Sequence, residues 1–294
     1  MAQPVYLISP NFSDIFTPNI EIGQFPDGDC HVRISPIAEC KGSNVVVFHR
    51  LYPKQNTSLV SLLLILDSLK EIGAKYVSVV APYLPYSRQD KKKLNGEVAS
   101  AYAVCNLISR AGCDKLITFD CHFLNLEGPA EFGELKIENI SMGEALVEHA
   151  RATAFLGEEF EVISPDMGAN YLVKNHGGKS YKKVRKEYES GKINYRDVET
   201  MDGDFDVKGK NVLLLDDMIS TGATMIRALE KLTQGGAKKI CCAAAHGLFL
   251  YNCLDKIKKF TDGVYSTDTI INDNAKVSIK EKLTDIGNNK PALF

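Results

Sequence analysis

Two adjacent carboxylates, Asp216 and Asp217, follow an apolar run and precede the polar turn Ser220-Thr221-Gly222-Ala223-Thr224. Each part of this pattern has its own chemistry. Glycine lets the backbone approach an anion, and the first N–H groups of the helical pattern that follows, MIRALEKLTQ, point at it. The hydroxyls of Thr221 and Thr224 add donors. A helix terminus contributes only about 0.3–2 kcal/mol toward one negative charge, so hydroxyls and backbone donors must share the work. Asp216 and Asp217 cannot bind phosphate; they suit sugar hydroxyls or a bridging cation. An anion nest beside paired acids fits a phosphorylated sugar better than an ordinary helix cap.

Other reactive groups also follow apolar runs. VSVVAPYLPY leads to Ser87-Arg88-Gln89-Asp90-Lys91, KLITF to Asp120-Cys121-His122, FEVIS to Pro165-Asp166-Met167-Gly168, and KICCAAA to His246-Gly247. In open parallel sheets, ligands sit beyond the carboxyl ends of the strands. One polar strand end carries little meaning, but this many at one edge point to an active site. His122 and Asp166 are candidate Mg²⁺ ligands, because that ion keeps several waters and needs few protein donors.

The elements that must hold these groups come from an internal repeat. KGSNVVVFHR (Lys41 to Arg50) resembles KGKNVLLLDD (Lys208 to Asp217), and LDSLKEIGAKYVSVVAPYL resembles ALEKLTQGGAKKICCAAAHGL. Each copy reads as a strand, an amphipathic helix, a Gly-Ala-Lys turn and a buried strand. Leu62, Ile65, Leu66 and Leu69 mark one helix face, and Ile226, Leu229 and Leu232 mark the other. Glycine at the helix end is the expected stop. A third unit, AVCNLISRAGCDKLITFDCH, has the same order. Short buried strands alternating with helices predict parallel sheets covered on both faces. The spacing predicts two similar α/β domains, residues 1–145 and 146–277, with a C-terminal helix over about 278–294 packing on the first.

Bulk properties narrow the class. The chain has 294 residues, 45% hydrophobic and 24% charged, with net charge −2. That balance gives no global attraction to nucleic acid or acidic membranes, so neither is expected as a partner. The start, MAQPVYLISP, has no basic and apolar leader pattern. The apolar-rich run LVSLLLILDSL is too short and too interrupted to span a bilayer. A cytoplasmic location is therefore expected. Eight cysteines, none in a CxxC pair, read as buried free thiols.

The segment Leu213 to Thr224 resembles the phosphoribosyl-pyrophosphate loop of type I phosphoribosyltransferases. That motif specifies a ribose-phosphate site and leaves the reaction open. FPDGDCHVRI (Phe25 to Ile34) and PYLPYSRQDKK (Pro82 to Lys92) resemble two signatures of ribose-phosphate pyrophosphokinases, there read as ATP-binding. Phe25 offers a stacking face for a base. Asp27 and Asp29, around Gly28, offer acceptors to an adenine amino group. Arg88 and Gln89, with Asp90 and Lys91, offer planar or charged groups to phosphate oxygens. Taken alone, Pro-Asp-Gly is also plain turn chemistry, and RQDKKK a solvated charge run.

The resemblance makes His122 and Asp166 the Mg²⁺ ligands. Between Asn175 and Arg196 lie seven basic residues and two acids, with poor apolar periodicity. This stretch reads as a mobile loop, and Lys183-Val184-Arg185 matches the Lys-x-Arg of the family's catalytic loop. The resemblance thus implies two tandem phosphoribosyltransferase-like domains, each a mainly parallel sheet flanked by helices. It also implies ATP and ribose 5-phosphate as substrates, Mg²⁺ as cofactor, Lys183 and Arg185 as catalytic cations, and a homo-oligomer. Ser220 stands where many bacterial and animal members carry an acid, so the loop is similar to the archaeal type. Phe123-Leu124-Asn125 departs from the glutamine-containing stretch that often follows the family's histidine. A phosphoribosyltransferase is the alternative, and would need a base-binding hood in place of the duplicated domain.

Overall fold

The computed structural model describes residues 3–92, 94–153, 155–184, 200–203, 205–261 and 263–288. The chain divides into two compact units, Met1–Ile140 with Ile279–Phe294, and Ser141–Ser278.

The first unit runs β1 (Val5–Ile8), β2 (Ile20–Gln24), β3 (Cys30–Ile34), β4 (Asn44–Phe48), α1 (Gln55–Ile72), β5 (Tyr76–Val80), α2 (Ser100–Arg110), β6 (Lys115–Phe119), β7 (Gly128–Phe132) and β8 (Leu135–Ile140). Its sheet has the order β1-β4-β5-β6-β8-β7. All neighbours are parallel except β7, which turns back antiparallel on β8. The central strands NVVVF and YVSVV are buried almost throughout, as expected of strands covered on both faces. In β8 burial alternates, so one face is the more exposed. Helix α1 buries Leu62, Ile65, Leu66 and Leu69 against that sheet and stops at Gly73, whose φ of +78° accepts the left-handed cap. Strands β2 and β3 form a separate antiparallel ribbon.

The second unit runs α3 (Gly143–Ala152), β9 (Glu161–Ser164), α4 (Asn170–Val173), β10 (Lys179–Ser180), β11 (Lys182–Val184), β12 (Thr200–Asp202), β13 (Asn211–Ile219), α5 (Ala223–Gln234), β14 (Lys239–Gly247), α6 (Cys253–Ile257), β15 (Gly263–Thr267) and β16 (Ala275–Val277). Helix α7 (Lys280–Asn288) groups with the first unit. The second sheet, β10-β9-β13-β14-β15-β16, is parallel throughout. Residue 145, where the sequence places the seam, falls inside α3.

Three further details differ from the sequence reading. Strand β13 does not stop at Leu215 but continues through both acids to Ile219, because β14 keeps pairing with it. Helix α5 begins at Ala223, two residues ahead of the expected Met225, and Ile226 is only partly buried while Met225 and Ala228 join Leu229 and Leu232 in the core. The start of the expected loop is ordered: β11 pairs antiparallel with β12, with Lys183 opposite Met201. Arg185 lies outside the described residues.

All eight cysteines are free, and all but Cys30 are buried. Burial pushes the Cys105 and Cys241 thiols up to about 12, which keeps them protonated and unreactive at neutral pH. Among the described residues, no helix is long and apolar enough to cross a membrane.

Candidate active site

In the second unit, β13 outlasts one of its neighbours. Pairing with β9 ends at Leu214, whereas pairing with β14 continues through Asp216, opposite Ala244, to Ile219. Asp216 and Asp217 therefore stand beyond the end of β9, at the carboxyl edge of the sheet. Both are buried. Successive strand residues face opposite sides of a sheet, so the two acids divide their reach. One oxygen of Asp216 accepts from the Asp217 N–H at 3.0 Å, which ties this carboxylate to the backbone.

The turn after β13 is built from below. The N–H groups of Leu248 and Phe249 donate to the Ile219 carbonyl at 3.0 and 3.1 Å, and Leu250 donates to the Ser220 carbonyl at 2.9 Å. The Cys253 thiol donates to the same Ser220 carbonyl at 3.5 Å. Ser220 itself is buried, while Thr221 and Ala223 are exposed and Thr224 is half-buried. Gly222, at φ +76°, caps α5 and supplies no side-chain acceptor to its first turn. The first N–H groups of an α-helix have no partner within the helix, so the cap leaves donors where a phosphate would sit. Beside the loop, a cleft of about 490 Å³ is lined by Thr221, Ala223, Ile226, Arg227, Tyr251 and Lys256, among others. Arg227 and Lys256 escaped sequence reasoning because an isolated cation on a helix carries no signal.

Asp166 follows β9 at the same sheet edge. Its Oδ1 accepts from the Gly168 N–H at 2.7 Å, and its carbonyl accepts from the Ser164 hydroxyl at 2.7 Å. Lys183 lies on β11 of the two-stranded ribbon.

In the first unit, Phe25 to Asp29 form the tip of the β2–β3 ribbon. The Asp29 carbonyl accepts from Phe25 N–H at 2.8 Å, and Gly28, at φ +100°, donates to the Phe25 carbonyl at 2.9 Å. Asp27 Oδ1 accepts from the Asp29 N–H at 3.1 Å. The turn chemistry is therefore real, and it commits one oxygen of Asp27. Phe25 stays 52% exposed, edge-on to His31, with a ring face available for stacking.

Arg88 to Lys91 follow β5. Arg88, Gln89 and Asp90 are half-buried and Lys91 is exposed. Gln89 is partly structural: its Oε1 accepts from the Ser100 hydroxyl at 2.9 Å and its carbonyl from Ala101 N–H at 3.2 Å, at the start of α2. Its NH₂ group and the second lone pair of Oε1 are the remaining polar sites of the side chain. His122 follows β6 and is half-buried. Next to it, Phe123 stacks on Phe132 at 4.1 Å and Leu124 is buried, so this departure from the family pattern fills the unit's own core.

Comparison with known proteins agrees along nearly the whole chain. Residues 11–112 match the family described as the N-terminal domain of ribose phosphate pyrophosphokinase, and residues 173–284 match the phosphoribosyl transferase domain. A ribose-phosphate pyrophosphokinase of Methanopyrus kandleri is 37% identical over 265 residues, 88% of this chain and 87% of that protein. One of Pyrococcus abyssi is 35% identical over 272 residues, 92% and 90%. The chain belongs to the ribose-phosphate pyrophosphokinase family.

A phosphoribosylpyrophosphate synthetase from Mycobacterium smegmatis shares the fold, with TM-score 0.79 over 98% of each chain at 24% identity. Within this pyrophosphokinase-family chain, the two units differ in what stands at the repeat of the acid pair. His49 and Arg50 replace Asp216 and Asp217, and both are buried. His49 Nδ1 lies 2.8 Å from the Ser9 hydroxyl and Nε2 lies 2.9 Å from the Ser58 carbonyl. A carbonyl only accepts, so Nε2 carries the proton and Nδ1 accepts from Ser9. Arg50 pairs with Asp14 at 2.8 Å and sits over the Phe12 ring at 4.6 Å. The first cradle is thus filled by its own side chains.

This filling has a pH signature. Burial drives the His49 pKa down from 6.5 to about 4, against a smaller upward pull from the Ser58 carbonyl. The unfolded chain then binds the proton first as pH falls. Stability is full above pH 6.5 and declines between 6.5 and 4, by up to about 3 kcal/mol at about 1.4 kcal/mol per pH unit. Urea unfolding of His49→Gln is expected to show a flatter decline over that window than the parent chain. Parallel curves would contradict a buried neutral imidazole.

Asp166, an oxygen donor after β9, is of the type that suits a hard ion such as Mg²⁺ keeping most of its water. Among the described residues, no cluster of three or more His, Cys, Asp or Glu could cage an ion. Asp166 Oδ1 accepts from the Gly168 N–H, and a carboxylate has about four lone-pair sites in all.

Proposed function

We propose that the protein transfers the pyrophosphoryl group of ATP to the anomeric hydroxyl of ribose 5-phosphate, giving 5-phosphoribosyl 1-pyrophosphate and AMP. The hydroxyl oxygen forms a bond to the β-phosphorus, the bond between the β-phosphorus and the bridging oxygen to the α-phosphate breaks, and the hydroxyl proton is released. The observation that carries this reading is asymmetry within a duplicated fold: one cradle keeps its acids and open glycine turn, and the other is closed by His49 and Arg50.

In this scheme Ser220 to Thr224 hold the sugar phosphate, while Asp217 and Asp216 orient ribose hydroxyls. Phe25 stacks on adenine, with Asp27 and Asp29 accepting from its amino group. Arg88, Gln89, Asp90 and Lys91 bind the polyphosphate. Lys183 and Arg185 neutralise charge on the transferring group, since such transfer depends mainly on positioning and electrostatics. His122 and Asp166 would hold Mg²⁺, which when bound neutralises polyphosphate charge and acidifies a nearby hydroxyl.

We further read the protein as a cytoplasmic homo-oligomer, a dimer or higher. Val60 and Leu64 on α1 and Leu107 on α2 are exposed apolar residues that suit a subunit contact. A monomeric mass by light scattering would remove that part.

One assay tests the main reading. With ATP, ribose 5-phosphate and Mg²⁺, AMP is expected to form only when the sugar is present. No AMP would leave a binding module for phosphoribosyl pyrophosphate. Consumption of phosphoribosyl pyrophosphate that depends on an added base would make the protein a phosphoribosyltransferase.

A further inference from the structure

The segment that carries His122 is held by a side chain distant in sequence. Asn139 lies on β8, opposite Thr118 of β6 and Gly128 of β7. It is buried, at 1% exposure. Its Oδ1 accepts from the Cys121 N–H at 2.9 Å, and its Nδ2 donates to the Leu126 carbonyl at 2.7 Å. The amide orientation is settled by chemistry, because a backbone N–H only donates and a carbonyl only accepts. One planar group therefore clamps both ends of the loop from Cys121 to Leu126.

The rest of the loop is equally constrained. Leu124 N–H donates to the Cys121 carbonyl at 2.8 Å, closing a turn around His122. Cys121 and Leu124 are buried, and Phe123 stacks on Phe132. Immediately upstream, Asp120 takes φ +36° while its N–H donates to the Ile140 carbonyl at 3.0 Å. A non-glycine residue held there is strained and persists only where its surroundings impose it.

We infer that Asn139 is a positioning residue for metal binding, fixing the backbone from which His122 reaches the ion. This rests on the reading of His122 as a Mg²⁺ ligand. Groups that orient metal ligands typically cost 10–100-fold in affinity or activity when removed. Asn139→Asp keeps the acceptor for Cys121 and sets an oxygen against the Leu126 carbonyl. Asn139→Thr tests the same loss without adding a charge.

The experiment measures Mn²⁺ binding by electron paramagnetic resonance in the presence of a non-hydrolysable ATP analogue. Alongside it, the Mg²⁺ activation curve and the KM for ribose 5-phosphate are measured for the parent, both Asn139 variants, His122→Ala and the double variants. Expected results are roughly tenfold weaker Mn²⁺ binding and a matching shift in Mg²⁺ activation for the Asn139 variants, with the KM for ribose 5-phosphate unchanged. Adding either variant to His122→Ala should cost little more, since both act through one group. If His122→Ala binds metal as the parent does, the ligand reading fails and the inference with it. If His122→Ala is impaired but the Asn139 variants bind normally, or the losses multiply, the inference alone fails. An equal rise in the KM for ribose 5-phosphate would mark a general folding defect and also overturn it.

Discussion

Lys183→Ala is expected to lower kcat by roughly 10²–10³, the scale of losing one preorganised donor to a developing charge. Ribose 5-phosphate affinity, measured directly by calorimetry, should stay within about twofold of the parent, the scale of a surface substitution away from the bound sugar. The split follows from where the groups lie along the chain. The sugar phosphate is assigned to Ser220 to Thr224 on a nine-residue strand of the main sheet, whereas Lys183 lies on a separate two-stranded ribbon paired to Thr200–Asp202. An interaction made only as charge develops lowers kcat and kcat/KM together and spares ground-state binding. The neighbouring Lys182, exposed on the same ribbon, supplies the control. Lys182→Ala should change kcat little. An unchanged kcat in Lys183→Ala would remove the residue from its role. Equal losses in both variants would assign the effect to the ribbon's general positive charge.

Much of this arrangement was legible in the sequence, and the misses have physical causes. The repeat of strand, helix, glycine stop and strand was readable because buried parallel strands are continuous apolar runs and α1 keeps its apolar residues on one face. The run of β13 through Asp216 and Asp217 was not readable. Apolar counting ends at the first charge, while backbone pairing to β14 continues regardless of side-chain polarity. The β11–β12 ribbon lacked apolar alternation, and its two strands lie far apart along the chain. The support beneath the turn from Ser220 to Thr224 left no trace at all. Phe249, Tyr251 and Asn252 take φ of +47°, +55° and +54°, and of these only asparagine is a residue type that suggests a left-handed position. Asn139 was equally silent, since its value lies in two long-range hydrogen bonds. The candidate site residues stand out in the sequence because their types are unusual after apolar runs. Their supports were missed because they are ordinary residues in unusual places.

Gly222→Ala joins those supports to function and should be the most damaging single change in the sugar cradle. At φ +76° an alanine is strained by about 1–2 kcal/mol. Its Cβ would also fall 2.8 Å from the Cys253 Cβ, closer than real carbon contacts, with the Cys253 Sγ at 3.4 Å and Ile226 Cδ1 at 3.5 Å. Something must move, and the candidates are α6, which Cys253 begins, and the loop itself. The Cys253 thiol also donates to the Ser220 carbonyl, so displacing it disturbs the loop a second time. A shift near 1 Å at the phosphate donors can cost about 10² in rate. The expected result is a fall of about that size in kcat/KM for ribose 5-phosphate, with the KM for ATP nearly unchanged. Adding Cys253→Gly removes the close contact but not the backbone strain, so it should restore part of the loss and never all of it. No recovery would mean that backbone strain, together with the lost Cys253 thiol contact to Ser220, outweighs the relief of the close approach. A normal KM for ribose 5-phosphate in Gly222→Ala would show that the phosphate is held somewhere other than the turn after β13.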